Sequence, residues 1–306
     1  MARVSILMTV YNGLPYLPTA VDSMLAQTYT DTELVIVDDG STDGTPSYLA
    51  SLDDPRIRLI TQRNQGTAAA ANAGLAACTG ELLARMDADD VSVPHRLQRQ
   101  VDLLDQRPEI GMVGSFTRIL GDAGPDGVVA LPTDHQEIVA ALRAGRHALS
   151  HPTLMLRTEL LRRIGGYWPF PLVDDWDMML RMCEVTVVTN IAEPLLLYRV
   201  HRESLNGAGM ARMRYSIDFA RARAAARQAG RPEPTEEGFA AGRAALPPYR
   251  RLAFRATVGS LTHYRRAVAE KAGPHPWRAV PHLLLASALR PDLVVRRLAR
   301  QRAAHR

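Results

Sequence analysis

Short apolar strands alternate with helical segments along the first hundred residues, and this alternation constrains the fold of the chain most strongly. Four predicted strands cover residues 4–10, 33–37, 56–61 and 81–86. The first of them, VSILMTV, is apolar on both faces, which is typical of a buried parallel strand. The segments between and after the strands have helical character; they cover 14–28, 45–52, 68–78 and 93–106. This order predicts an α/β fold with a mostly parallel central sheet flanked by helices.

Polar clusters follow each of the four predicted strands. They are Tyr11-Asn12, Asp38-Asp39, Arg63 and Asp87-Asp89. Open α/β sheets bind ligands beyond the carboxyl ends of their strands. We therefore expect these four loops to converge on one rim of the sheet and to form a ligand site there.

From about residue 110 onwards, strands and helices alternate less regularly. We expect strands at 110–120, 127–132, 151–157, 185–190 and 194–201. Helices are predicted at 158–166, where Gly-Gly stops the segment, and at 174–184, where carboxylates in the first turn suit the helix dipole. Residues 1–206 are therefore predicted to form one domain, and residues 207–306 a helical extension.

The charge divides the chain in the same place. Residues 207–306 contain 20 basic and 6 acidic residues, whereas the whole chain has a net charge of only +5. The basic extension predicts either peripheral contact with an anionic membrane surface or an ordinary helical cap or oligomer contact. Nucleic acid is not expected as a partner, because neither aromatic interleaving nor a known binding motif accompanies the arginines.

The cysteines and the N-terminal sequence bear on location. Two widely separated cysteines, Cys78 and Cys183, form neither a disulfide framework nor a zinc pattern. No stretch reaches the roughly 20 apolar residues of a membrane span, and the N-terminus lacks the features of a signal peptide. We expect a cytoplasmic protein that could associate peripherally with the inner face of the membrane.

Three carboxylates crowd the end of the fourth strand, in the segment RMDADD. Asp87, Asp89 and Asp90 repel one another unless a positive charge lies among them. Carboxylates at such spacing suit Mg²⁺ or Mn²⁺, which fills its remaining positions with water and phosphate oxygens. A metal ion carrying a diphosphate is one explanation of the cluster. The other is that these residues cap the helix that follows.

The chain resembles the family 2 glycosyltransferases, which have the GT-A fold. The motifs that carry the resemblance occur in the order of the family and cover about residues 3–206; they are SILMTVYNGLPYL (5–17), VIVDDGSTDGT (35–45), NQGTAAAANAGLAACTGELLARMDADD (64–90), HPTLMLR (151–157), DDWDMMLRM (174–182) and YRVHRES (198–204). The resemblance implies an inverting transfer of a sugar from a nucleotide-diphosphate donor to an acceptor hydroxyl. The implied cofactor is Mn²⁺ or Mg²⁺, and the implied acceptor is a saccharide or a lipid-linked glycan in surface polysaccharide or glycolipid synthesis.

The resemblance also implies where the donor and metal bind. Thr9, Val10 and Tyr11 would line the base pocket, and Asp39 would accept a hydrogen bond from the base, although an Asx turn is an equally good reading of Asp39. Asp87 would face the ribose or sugar. Asp89 would bind the metal, with His201 as a further metal or diphosphate contact. The nucleotide is expected to be UDP, with dTDP and GDP as alternatives.

The family motif around the catalytic base differs slightly in this chain. Relatives usually have Glu-Asp where this chain has Asp174-Asp175, so Asp175 would take the role of the base and remove the proton from the acceptor hydroxyl. An arginine found before Asn72 in many relatives is replaced by Ala71. Arg63 or Arg199 would contact the diphosphate in its place. The Gln-x-x-Arg-Trp motif of processive synthases is absent, which favours the transfer of single sugars.

Two other functions remain open from the sequence. A sugar-phosphate nucleotidylyltransferase also combines a nucleotide-binding sheet with a metal, but TVYNGLPYL lacks its glycine-rich, basic loop. A catalytically inactive nucleotide-sugar binding protein would not need the carboxylates at 39, 87, 89 and 175, all of which are present.

Overall fold

Four parallel strands form one half of the central sheet, as the sequence predicts. The computed structural model describes residues 2–121, 124–169, 173–200, 207–272, 275–292 and 294–295. The four strands are β1 (Val4–Val10), β2 (Thr32–Asp38), β3 (Ile57–Thr61) and β4 (Leu82–Asp87), in the spatial order β3-β2-β1-β4. The connecting helices are α1 (Leu17–Leu25), α2 (Thr45–Ala50) and α3 (Thr67–Ala77).

The sheet continues beyond β4 with antiparallel pairings. The further strands are β5 (Val91–Ser92), β6 (Ile110–Gly121), β7 (Gly124–Val129), β8 (Met155–Arg157) and β9 (Val187–Arg199). The order continues from β4 through β8, β6 and β9 to β5, and β7 pairs with β6. The accompanying helices are α4 (Arg96–Gln106), α5 (His135–Arg143), α6 (Thr158–Arg163) and α7 (Asp174–Val185). The carboxyl end of β4 thus lies in the middle of the sheet, between its parallel and antiparallel parts.

Two sequence predictions about this part of the chain were wrong, and one helix was missed. Residues 151–153 form a 3₁₀ turn rather than the start of a strand, because Pro152 has no N–H to donate to a ladder and Thr153 N–H donates to Ser150 O at 3.0 Å. The two strands predicted at 185–201 are one continuous strand, β9. Helix α5 was not predicted, although Asp134 caps it by accepting a hydrogen bond from Glu137 N at 3.0 Å.

The two faces of the parallel half are covered by different helices. Val4, Ile6, Met8 and Val10 share one face of β1 and belong to a buried cluster that also contains residues of α1 and α4. On the opposite face, the Ala-rich helix α3 approaches β1 so closely that a Cβ at Gly74 would overlap Leu7 Cδ1. Small side chains on α3 therefore allow the helix to lie against the strands that carry the rim.

The chain divides into two compact units. The first consists of Met1–Arg118, Leu131–Phe170 and Asp174–Tyr198; the second consists of Ile119–Ala130, Pro171–Val173 and Arg199–Arg306. The second unit contains α8 (Gly207–Gln228), α9 (Glu236–Ala244), α10 (Pro248–Ala272) and α11 (Ala279–Leu289). Within the described residues, none of these or the other helices has the length and apolar character that crossing a bilayer requires. The predicted domain boundary after residue 206 remains a prediction.

Candidate active site

Strand register brings the predicted rim residues together. Thr9 of β1 lies beside Asp87 of β4, and Val10 lies beside Asp38 of β2. Residues in register on parallel strands share a face of the sheet. Thr9 and Asp87 therefore point to the same side, which is also the side of Leu7 and α3. The side chain of Val10 points the other way and is buried in the core cluster, so that only the backbone of Val10 could contact a donor.

Two adjacent aspartates brace the loops at the end of β2. Asp38 accepts a hydrogen bond from Ser41 N at 2.9 Å and so forms the Asx turn. The Asp39 carboxylate accepts from Gln62 Nε2 at 2.7 Å, from Gln65 N at 2.9 Å and from Gly66 N at 2.8 Å. Asp38 rather than Asp39 therefore serves the turn. Asp39 fixes the loop after β3 against the end of β2.

The two remaining predicted donor contacts lie at the surface. Tyr11 follows β1 and is 51% exposed, and Arg63 is exposed in the loop after β3. That loop is held close to the β2 loop, because Gly40, at φ +76°, lies so near Asn64 N that a Cβ would come within 2.7 Å of it. Tyr11 and Arg63 are thus accessible to a ligand on the rim, and a glycine is required where the β2 loop meets the loop that carries Arg63.

The acidic cluster has a geometry that suits a divalent cation. One carboxylate oxygen from each of Asp87, Asp89 and Asp90 lies within 4.8 Å of the others. Asp89 is half-buried, whereas Asp90 is almost fully buried. Carboxylate oxygens are the ligands that hard cations such as Mg²⁺ and Mn²⁺ prefer. The donor set at the end of β4 therefore fits the predicted metal, while His201 lies outside the described residues.

Two buried arginines lie beneath this acidic cluster. Arg85 of β4 is 3% exposed, and it donates to Leu7 O at 2.9 Å and contacts Asp87 Oδ1 at 3.3 Å. Arg96 of α4 is fully buried and donates to the Arg85 carbonyl oxygen. Burial raises the pKa of Asp87 to about 6, and the positive charges of Arg85 and Arg96 oppose that rise. Part of the positive charge that the crowded carboxylates require is therefore supplied by the protein itself.

The N-terminus of α7 adds two more carboxylates to the site. Burial raises the pKa of Asp175 to about 7, and the negative charges of Asp174 and Asp87 add to the effect. Burial also raises the pKa of Asp174, whose carboxylate accepts a hydrogen bond from Thr67 Oγ1 at 3.4 Å. Asp175 Oδ1 accepts from Trp176 N at 2.8 Å. A carboxyl group with a pKa near neutrality has the proton affinity that a general base requires.

The first turn of α7 is anchored by an ion pair that does not take part in the rim. Asp177 is fully buried and binds Arg181 Nε at 2.7 Å, and Arg181 Nη2 donates to Gly166 O at 2.7 Å. Asn72 of α3 holds the next residue, Tyr167, by accepting from its N–H at 2.9 Å and donating to its O at 2.7 Å. These contacts fix the position of Asp174 and Asp175.

His151 lies on the buried side of the same site. Its Nε2 is 3.1 Å from the Tyr167 hydroxyl, and burial together with the charge of Arg85 lowers the pKa of the imidazole well below its usual value. The hydroxyl pKa of Tyr167 is raised by burial. A neutral imidazole paired with a neutral phenol supports a packing role for His151 rather than a contact with the acceptor.

Comparison with known protein families identifies the chain. A family model described as Glycosyl transferase family 2 matches residues 5–165, which is more than half of the chain. The chain belongs to this family. An uncharacterized glycosyltransferase from Nostoc sp. is 34% identical over 211 residues, which cover 65% of this chain and 65% of that protein. The O-antigen biosynthesis glycosyltransferase WbnJ from Escherichia coli is 29% identical over 215 residues, which cover 68% of this chain and 84% of WbnJ.

Solved structures with the same fold include a mannosyltransferase and the protein TarS. The mannosyltransferase PcManGT from Pyrobaculum calidifontis, solved with GDP-Man and Mn²⁺, matches 99% of this chain and 85% of its own length, with a TM-score of 0.59 and 21% identity. Residues 1–349 of TarS from S. aureus, solved with UDP, match 94% of this chain and 91% of that chain, with a TM-score of 0.56 and 15% identity. The predicted GT-A fold of this family 2 glycosyltransferase is thereby confirmed.

Sequence reasoning missed the two arginines that this glycosyltransferase places beneath its acidic cluster. Arg85 stands within the strand segment ELLARM, where the neighbouring residues are apolar. A charged residue in an otherwise apolar buried strand requires a partner, and Asp87 follows two positions later on the same face. That signal was present in the sequence. The sequence contains no such signal for Arg96, because an arginine in the amphipathic segment 93–106 is expected to face the solvent.

Proposed function

We propose that the protein transfers single sugars, with inversion, from a nucleotide-diphosphate donor to an acceptor hydroxyl. The observation that carries the proposal is the position of Asp175, whose carboxyl group lies close enough to Asp87 for their charges to interact and has a pKa raised to about 7. A base beside the donor site is what the attack of a hydroxyl on the anomeric carbon requires. An inactive nucleotide-sugar binding protein would have no use for a buried carboxyl group, which lowers the stability of the fold.

The residues of the rim would divide the work as follows. Asp175 would remove the proton from the acceptor hydroxyl as the new bond to the sugar forms. Asp89 would hold Mn²⁺ or Mg²⁺, and Asp87 beside it would face the ribose or sugar of the donor. When bound, such an ion neutralises the charge that develops on the departing diphosphate. Tyr11 would stack on the base, and Arg63 would reach the diphosphate.

The donor we propose is a UDP-sugar. Support comes from the fold shared with TarS, which was solved with UDP, whereas the fold shared with PcManGT, solved with GDP-Man, makes GDP the second candidate. dTDP is the third nucleotide to test. The name of the E. coli relative supports a role in polysaccharide biosynthesis, with a saccharide or lipid-linked acceptor.

Peripheral contact with anionic lipid is proposed for the C-terminal helices. The side chains of Trp277, Val280 and Leu284 are each more than half exposed near the start of α11, and Arg278 lies among them. Apolar side chains beside arginines suit the headgroup region of an anionic bilayer. The test is co-sedimentation with phosphatidylglycerol vesicles. Trp277→Ser with Leu284→Ser should abolish binding, and Leu59→Ser, at an exposed apolar position of β3, should not.

The decisive experiment for the proposed function separates chemistry from binding at Asp175. In Asp175→Asn, kcat should fall by about 10²- to 10⁴-fold while the affinity for the donor nucleotide is retained. Asp53→Asn, which changes an exposed carboxylate between α2 and β3, is the matched control and should keep full activity. Unchanged turnover in Asp175→Asn would refute its role as the base. If the natural protein cleaves none of the three donors, the binding-protein alternative gains support.

A further inference from the structure

The loop after β1 (residues 11–16) and the loop after β2 (residues 39–44) are joined to each other by hydrogen bonds. At the ends of the two strands, Val10 O accepts a hydrogen bond from Asp39 N at 2.9 Å. Tyr11 and Asp39, the two residues that the family resemblance places at the base of the donor, therefore begin the two loops side by side. The contacts that join these loops determine how the two residues are placed relative to each other.

Asn12 makes two of the contacts between these loops. Its side-chain Oδ1 accepts a hydrogen bond from Thr42 N at 2.8 Å, and its backbone N–H donates to Ser41 Oγ at 2.8 Å. The side chain and the main chain of one residue thus bind two successive residues of the other loop. Because Asn12 directly follows Tyr11, these bonds hold the backbone that carries the Tyr11 ring.

Two further hydrogen bonds continue the connection beyond Asn12. Gly13 N donates to Thr45 Oγ1 at 2.9 Å, and Leu14 N donates to Asp43 Oδ2 at 3.4 Å. The next three backbone N–H groups of the first loop are therefore bound by side chains of the second loop or of the first residue of α2. The first loop is fixed along its length rather than at a single point.

Asn12 has a backbone conformation that most residues avoid. Its φ is +53°, and among the residues that the structure describes it is the one non-glycine residue with a positive φ. A Cβ makes this left-handed conformation unfavourable, although Asn tolerates it better than most residues. Such conformations persist where surrounding contacts impose them, and they cluster at ligand sites. Here the bonds to Ser41 and Thr42 impose it, directly beside a tyrosine that is 51% exposed.

We propose that Asn12 is a positioning residue for the nucleotide, which joins the two loops through Ser41 and Thr42 and so holds Tyr11 in place beside Asp39 to receive the base. This inference rests on the proposed function, because it requires a donor whose base binds between these two loops. A pocket that is ordered before binding loses less conformational freedom when the ligand arrives, so its affinity is higher. The effect of Asn12 is confined to the base, since the metal and the diphosphate belong to the acidic cluster at the end of β4.

The test compares nucleotides with a ligand that has no base. UDP, dTDP, GDP and inorganic pyrophosphate are titrated calorimetrically in the presence of Mn²⁺. Asn12→Gly permits the same φ but loses the Oδ1 acceptor, and it should raise the Kd of the nucleotide that the natural protein binds about tenfold. Ser41→Ala loses the acceptor for Asn12 N but keeps its own backbone bond to Asp38, and it should raise the same Kd about fivefold. The Kd of pyrophosphate should change less than about twofold in both variants.

Ser51→Ala is the matched control for Ser41→Ala. The Ser51 hydroxyl also makes a hydrogen bond to a backbone group, donating to Tyr48 O at 2.7 Å, but it lies at the exposed end of α2 outside both loops. Ser51→Ala should bind nucleotide and pyrophosphate as the natural protein does.

Several results would overturn the inference. A purely structural role of Asn12 would lower the melting temperature of Asn12→Gly and leave the ratio of the nucleotide and pyrophosphate Kd values unchanged. Unchanged nucleotide affinity in both Asn12→Gly and Ser41→Ala would also overturn it, as would a natural protein that binds nucleotide but no pyrophosphate at concentrations up to about 10 mM. These results leave the proposed function intact. If the natural protein binds none of the three nucleotides, the proposed function and the inference are both wrong.

Discussion

Replacing Asp175 by Asn should stabilise the ligand-free protein, and the gain should grow with pH. The carboxyl pKa rises from an ordinary value of 3.8 to about 7 on folding. Between these two values the folded state holds a proton that the unfolded state has released, so the free energy of unfolding falls as the pH increases. Asn has no charge to bury. Its side-chain oxygen can keep the hydrogen bond from Trp176 N, which Asp175 Oδ1 accepts at 2.8 Å.

The size of the stabilisation in Asp175→Asn follows from the pKa shift of the Asp175 carboxyl group. A rise of about 3 pKa units corresponds to roughly 4 kcal/mol at high pH, at about 1.36 kcal/mol per unit. This is an upper limit, because part of the Asp175 side chain reaches solvent. About 2.5 kcal/mol of this stabilisation should develop between about pH 5 and pH 8.5. The rest of the stabilisation is already present at about pH 5, because that pH is above the ordinary pKa of an aspartate.

Urea unfolding in EDTA at a series of pH values measures this difference. The free energy of unfolding of Asp175→Asn minus that of the natural protein should increase from about pH 5 to about pH 7 and then level off. Asp53→Asn, at an exposed position, should give a difference that does not depend on pH. The account would be refuted if Asp175→Asn gained stability by the same amount at every pH, or lost stability. Either result would show that the carboxyl group of Asp175 does not have a raised pKa in the folded protein.

Three further predictions concern the groups around the site. Asp177→Asn should lower the free energy of unfolding by about 3–5 kcal/mol in urea denaturation, because it leaves the charge of Arg181 buried without its partner. Arg85→Gln should move the rising limb of the kcat–pH profile to higher pH, since the charge of Arg85 lowers the pKa of Asp175; an unchanged profile would contradict this. Gly40→Ala should lower the melting temperature and weaken nucleotide binding, because φ is +76° and the added Cβ would lie 2.7 Å from a backbone nitrogen of the loop after β3; wild-type values of both would show that the loop adapts.

The sequence is sufficient to predict the elements that position the rim. A strand that is apolar on both faces is stable only inside a sheet that is covered on both sides. The polar residues that follow such a strand must then lie at the edge of the sheet. The pattern of residues alone therefore places Asp39, Asp87 and Asp89 at strand ends. The same reasoning fails where a proline interrupts an apolar segment. Pro152 has no N–H to donate to a strand, and the start of the predicted strand at 151–157 is a 3₁₀ turn.

The buried cations are harder to predict because their positions depend on contacts between distant segments. Arg96 lies on the buried face of α4, where Arg85 of β4 offers it a carbonyl oxygen, and no local pattern in the sequence indicates that contact. Helix α5 carries a readable signal, an Asp N-cap followed by Ile138, Ala141 and Leu142 on one face, and the helical period of residues 135–143 would have been enough to predict it. The predicted role of His201 stays a prediction, since that residue lies outside the described part of the chain.

The central claim is that the acidic cluster at the end of β4 forms a metal-dependent site for a nucleotide-sugar donor. Calorimetric titration of UDP, dTDP and GDP with and without Mn²⁺ tests it most directly, on the natural protein, on Asp89→Ala and on the exposed control Asp53→Ala. One nucleotide should bind only when Mn²⁺ is present, with binding lost in Asp89→Ala and kept in Asp53→Ala. Binding that is equally strong without metal, or unchanged in Asp89→Ala, would contradict the claim.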